Sequence, residues 1–172
     1  MSALLSFKSG VHPPDEKAIT AGIASRRLPF PEEVVLPLSQ HLGAPAKALV
    51  QIGDRVERGD VLAEASGFIS APIHATAAGI VKDIALWPHS NGGSVEAVRI
   101  QVDPYSTQMP RPRMVPRWES LEPSQISDAI REAGVVGLGG AAFPSFVKLN
   151  PPKDQKIEVL LINGCECEPY LT

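Results

Sequence analysis

Cysteine is scarce in this 172-residue chain, and the two present, Cys165 and Cys167, stand one residue apart. A disulfide between them would close a very strained small ring, so free thiols of a reducing compartment are expected. A four-cysteine iron–sulfur cluster needs repeated C-x-x-C-type spacing, which the chain lacks. The pair is left as small side chains packed near an acidic turn, with a metal role as the other reading. Long apolar runs are also missing: none approaches the roughly 18 residues of a membrane span. The start M-S-A-L-L-S-F-K-S-G is too short an apolar stretch for a signal peptide. A chain made and kept on the cytoplasmic side is expected. There is no excess of positive charge, and a net charge of -3 argues against a general nucleic-acid binder. His12, His41, His74 and His89 show no H-x-x-x-H or H-E-x-x-H spacing, so each reads as structural or exposed rather than as a ligand or base. Neither a strand followed by G-x-G-x-x-G nor the G-x-x-x-x-G-K-[ST] loop occurs, so neither the dinucleotide nor the Walker fingerprint can be claimed.

What is present is ordinary for a globular protein: 44% hydrophobic and 20% charged residues, enough for one to two small domains with cores of their own. Seventeen prolines and fourteen glycines signal many turns. Residues 1–33, with Pro13, Pro14, Pro29 and Pro31, are expected to form an arm wrapped on a first domain. Residues 34–103 read as short strands joined by turns, with Gly53-Asp54 and Gly59-Asp60 as turn formers around Val56. The stretch Val95 to Val102 is expected as a half-buried edge strand. Residues 104–123, with five prolines and Arg111, Arg113 and Arg117, read as an extended, locally basic linker.

A second domain is expected over 124–172. Ser124 is a candidate N-cap; Ile126, Ala129, Ile130 and Ala133 form one apolar stripe, and Gly134 ends the helix at C′. The helix leads into Gly137, Gly139 and Gly140, three glycines in four residues that let the backbone approach a ligand closely. Pro144 suits the first position of a short helix running to about Leu149. Its N-terminus would favour an anion, with Lys148 one turn in. Ile157 to Ile162 has the composition of a buried strand. It leads to Asn163-Gly164, Glu166 and Glu168, at the strand end where open α/β sheets hold ligands. Read on its own, the glycine stretch is either a ligand loop or a tight structural turn.

The phrases G-L-G-G-A-A-F-P-S-F-V-K-L and I-N-G-C-E-C-E-P-Y-L-T resemble the RnfC subunit of the Rnf (Rsx) electron transport complex. More distantly they resemble the flavoprotein subunit of respiratory complex I. F-K-S-G-V-H-P-P and L-P-L-S-Q-H-L-G-A-P-A extend the RnfC likeness to the N-terminal half. The resemblance implies that Gly137, Gly139, Gly140 and Lys148 meet the phosphate of FMN, and that Asn163, Glu166 and Glu168 line the flavin and NAD(H) side. Leu138 and Cys165 stand where the complex I pattern has arginine and aspartate, which removes one phosphate-pairing charge and one polar contact. G-D-R-V-E-R-G-D-V-L-A-E followed by S-A-P-I-H-A-T-A-A-G-I-V also looks like a lipoyl or biotinyl carrier. Its hairpin tip, Glu64 to Ser70, has no lysine, so covalent biotin or lipoyl is excluded.

The implied architecture is a β barrel-sandwich hybrid domain followed by the start of an α/β flavoprotein-like domain, incomplete, in the N-terminal part of a longer protein. RnfC-like proteins continue into a segment with two 4Fe-4S clusters, whose cysteines are absent here. The implied function is electron input. Such a subunit exchanges hydride with NAD(H) and passes electrons through FMN in a membrane-associated NAD:ferredoxin oxidoreductase coupled to ion translocation. It would lie peripherally on the cytoplasmic face of the membrane, against the other Rnf subunits. The alternative is a non-catalytic docking module of the same complex; the isolated chain is not expected to be active alone.

Overall fold

The computed structural model describes residues 14–110, 117–138, 140–152, 157–162 and 168–170. They fall into two compact units, one within Pro29–Gln155 and one drawn from Met1–Leu28 and Lys156–Thr172.

The larger unit begins with seven strands: β1 (Glu33–Pro37), β2 (Lys47–Ala48), β3 (Arg55–Val56), β4 (Val61–Glu64), β5 (Ile73–His74), β6 (Gly79–Pro88) and β7 (Ser94–Val102). They form two antiparallel sheets, in the orders β1-β7-β6-β3 and β2-β4-β5. Their inward residues make one core that includes Leu36, Leu38, Val56, Leu62, Val81, Val98 and Ile100. Alternation places these side chains on the inner faces while Glu64, Lys82 and Gln101 remain outside.

The two Gly-Asp pairs shape the barrel in the same way. In each, the aspartate carboxylate accepts the N–H three residues back, Gln51 to Asp54 and Glu57 to Asp60, both at 2.8 Å. Gly53 and Gly59 take φ of +97° and +95°, which glycine adopts without steric cost. Each turn then clasps a later residue reciprocally. Gly53 N–H donates to Val81 O and Val81 N–H to Asp54 O; Gly59 N–H donates to Ala75 O and Ala75 N–H to Asp60 O.

The expected edge strand is a central one. β7 pairs with β6 along one side and with β1 along the other, and adjacent residues Ala97 and Val98 are both fully buried. The partner on the second side lies some sixty residues earlier, beyond the reach of local alternation. A register shift in β6 between Val81 and Asp83 further blurs the pattern.

The proline-rich stretch after β7 is fastened at its beginning. Asp103 accepts the Tyr105 N–H at 2.9 Å and pairs with Arg55 at 2.8 Å, which holds its carboxyl below its ordinary value. Buried Gln108 accepts the Ala78 N–H at 2.7 Å and donates to the carbonyls of Ala78 and Asp103, both at 3.1 Å. Gln108→Ala would strand the buried Ala78 N–H, at a cost of about 1–3 kcal/mol. Urea unfolding of the variant measures this, and a midpoint unchanged from wild type would show that the segment is held by other means.

Downstream, α1 (Pro123–Glu132) and α2 (Ser145–Lys148) complete the larger unit. The N-cap of α1 is Glu122, not Ser124. Glu122 and Gln125 form a reciprocal capping box, with Pro123 at the first helical position. Gly134 follows the C-cap Ala133 as expected, with φ +68°. The buried face is centred on Ser127, which Asn150 Nδ2 contacts, with Ile126 and Ile130 half-buried beside it; Ala129 and Ala133 are exposed. A polar residue thus replaces half of the expected stripe.

In the smaller unit, a 3-10 turn at Lys17–Ile19 is stitched to the neighbourhood of Tyr170. Lys17 Nζ donates to Glu168 O, Thr20 Oγ1 to Tyr170 O, and Tyr170 N–H to Asp15 O, at 2.9–3.1 Å. The run Ile157 to Ile162 is not a strand: its residues are in coil, with Leu161 and Ile162 more than four-fifths exposed. A buried strand needs neighbouring strands for its N–H and C=O groups, and among the described residues no strand lies alongside this run. Among the described residues no helix is long and apolar enough to cross a membrane.

Candidate functional site

The glycine loop is a closed hairpin-like turn. Val136 and Pro144 form an antiparallel bridge at its mouth. Gly137 N–H donates to Phe143 O at 3.0 Å, and Ser145 N–H to Val135 O at 2.9 Å. Pro144 is the N-cap of α2 rather than its first helical residue, and the helix has only four residues. So short a turn carries little dipole, and its first N–H is already engaged by Val135. The side-chain cation, not a helix dipole, is what this segment offers an anion.

That cation is well placed. Lys148 Nζ lies 5.8 Å from the centre of the Phe143 ring, and a Cβ built on Gly137 would stand 3.6 Å from it. The ammonium therefore rests beside the loop backbone where that backbone has no side chain. At Gly140 a Cβ would meet nothing within 4 Å, and Leu138 is exposed. A phosphate group fits this arrangement: one cation, bare backbone and open approach.

Of the site residues expected from sequence, Gly137 and Lys148 are brought together here, and Gly140 stands open, with nothing within 4 Å of an added Cβ. Gly139, Asn163 and Glu166 lie outside the described residues, as do Cys165 and Cys167. Glu168 is exposed in the smaller unit, with its backbone carbonyl taken by Lys17. Three aromatic or cationic residues were not anticipated. Phe146, 6% exposed, fixes α2 in place; Arg131 of α1 stacks on its ring at 5.2 Å; and Phe68 of the barrel tip meets it edge-on at 6.3 Å. The available signal was rarity: with only 5% aromatic residues, two phenylalanines around Pro144 and one on the barrel tip stand out.

A two-sheet barrel with paired Gly-Asp clasps, leading through one helix into a glycine–lysine loop, defines a barrel-sandwich hybrid joined to a flavoprotein-type loop. Residues 5–105 match the family described as the RnfC barrel sandwich hybrid domain, and residues 130–172 match the Nuo51 FMN-binding domain. The chain belongs to the RnfC family. It is 43% identical, over 98% of its length, to the C subunit of a proton-translocating ferredoxin:NAD(+) oxidoreductase complex from Clostridium ljungdahlii, of which it covers 37%. It is 41% identical, over 97%, to the C subunit of a Na(+)-translocating ferredoxin:NAD(+) oxidoreductase complex from Acetobacterium woodii, covering 38% of it. It is 40% identical, over 97%, to the C subunit of an ion-translocating oxidoreductase complex from Rhodobacter capsulatus, covering 32% of it. The chain thus spans about a third of the length of these relatives, two of which are named for different ions.

Proposed function

We propose that this chain forms the flavin-phosphate side of the electron-input subunit of a membrane-associated NAD:ferredoxin oxidoreductase coupled to ion translocation. The observation that carries the reading is the Lys148 ammonium seated beside the bare backbone of Gly137 and over Phe143. The matches to an RnfC barrel and an FMN-binding domain support it. FMN, when bound, would supply the exchange between two-electron hydride chemistry and one-electron transfer. This chain's residues would bind and orient. Lys148 neutralises phosphate charge, and Gly137, Gly139 and Gly140 let the backbone come close. Asn163, Glu166 and Glu168 would serve the sugar and nicotinamide side as acceptors. No residue is required as a general acid or base. Two cysteines are fewer than the four thiolates of a cluster, so this stretch would not supply the ligands of a 4Fe-4S cluster by itself. The other subunits of the complex and NAD(H) are the partners of this reading, with the chain peripheral on the cytoplasmic face. Covalent biotin or lipoyl and nucleic acid have no place in it.

Flavin-fluorescence titration of the chain with FMN and with riboflavin tests the proposal. FMN is expected to be quenched at concentrations where riboflavin is not. Equal quenching, or none, would overturn it. A docking role without cofactor is the second reading, favoured by a barrel core that is closed on its own. Capture of the other subunits by residues 1–105 alone would support docking, and capture only by the whole chain would count against it.

A further inference from the structure

In the carriers that this barrel resembles, the hairpin tip bears a modifiable lysine. Here the tip is tied down. Ser66 Oγ donates to Pro45 O, Ser66 N–H to Ser70 Oγ at 3.1 Å, and Ser70 Oγ to Ala44 O at 2.9 Å. Ala44 N–H donates to Ile69 O at 3.0 Å. Gly43 lies so close that an added Cβ would stand 2.1 Å from Ile69 O. From this anchored tip Phe68 reaches out, 73% exposed, with its ring perpendicular to that of Phe146 at 6.3 Å.

The contact falls where it matters. A four-residue helix has no stability of its own, so the place of Lys148 depends on what holds Phe146, two residues earlier. Phe146 is held on one side by the Arg131 guanidinium and on another by Phe68. A cleft of about 500 Å³ separates β4 from α1, between Val61 and Glu64 on one wall and Asp128 and Glu132 on the other. Beyond it Gly134 packs against Pro72 and His74, where an added Cβ would stand 2.6 Å from Pro72 O and 3.4 Å from the His74 ring.

We propose that Phe68 is a positioning residue. The barrel tip, anchored and without its lysine, is a buttress that sets Lys148 against the glycine loop through Phe146. This rests on the phosphate-site reading above, but its mechanical part can be tested apart from it.

The experiment uses the full chain with Phe68→Ala and Phe68→Tyr, followed by amide hydrogen exchange and by FMN and riboflavin titration. In Phe68→Ala the Gly137 and Ser145 amides, which close the loop, are expected to exchange about tenfold faster, the scale of one lost aromatic pair. The Ala75 and Val81 amides of the barrel should keep wild-type protection. FMN affinity is expected to fall by about the same factor with riboflavin unchanged, and Phe68→Tyr, which keeps the ring edge, should restore both. If the barrel amides of Phe68→Ala also open, Phe68→Leu, with apolar bulk but no ring edge, replaces it. Unchanged loop exchange would overturn the buttress whatever the flavin does. Faster loop exchange with equal losses for FMN and riboflavin would overturn its link to Lys148. Binding of neither flavin by wild type would remove the phosphate-site reading and the link to Lys148 with it, and the exchange data would still decide the buttress.

Discussion

Gly79→Ala is expected to destabilise the barrel by about 3 kcal/mol, at the upper end of what overpacking costs. Gly79 opens β6, and an added Cβ would stand 2.0 Å from Gln101 O, 2.9 Å from its carbonyl carbon and 2.9 Å from Ile100 Cγ2. The obstacle is backbone, and it belongs to β7, which is paired on both sides and so cannot swing away. Relief would require parting β6 from β7 at this end, beside the Val56 pairing and the Asp103 N–H to Ala78 O bond. Urea unfolding at constant m-value measures the loss. A change below about 1 kcal/mol, the ordinary cost of a single substitution, would mean that this end of the ladder yields far more easily than its pairing indicates.

Lys148→Ala is expected to weaken FMN binding by about 1–3 kcal/mol, or roughly five- to 150-fold, the range for a lost charge-assisted contact. Riboflavin binding should be unchanged, because the loss lies at the phosphate. Stability should be unchanged as well, since Lys148 is exposed and its neighbours are the Phe143 ring and the Gly137 backbone. Added salt should narrow the gap between wild type and variant, as it does for exposed charge pairs. The measurement is the paired flavin titration in low and moderate salt. Equal FMN affinity in both proteins would take Lys148 out of the site.

Much of the barrel was legible because its signals are local. Gly-Asp pairs six residues apart announce turns by their own chemistry. What pairs with what is not local. β7 looks like an edge until β1 is known to lie beside it. The cap of α1 was misplaced by two residues because Ser is the commoner capping residue, while Glu122 acts through a reciprocal bond with Gln125. The candidate site divides in the same way. The glycines and Lys148 could be read as a ligand loop from composition and resemblance, and their juxtaposition is geometric. Phe68 and Phe146 could not be linked, since 78 positions separate them in the numbering and neither carries chemistry of its own. The misreading of Ile157 to Ile162 has the plainest cause: apolar, β-branched composition describes a residue's preference for a sheet, not the existence of one.

The twin clasps of the barrel are nested, the Gly59–Ala75 pair inside the Gly53–Val81 pair. Closing a loop costs entropy that grows with its length, so the inner clasp shortens the free chain the outer one must still bring together. Each clasp then favours the other, like two buttons on one flap. The innermost piece enclosed by both is the tip that carries Phe68.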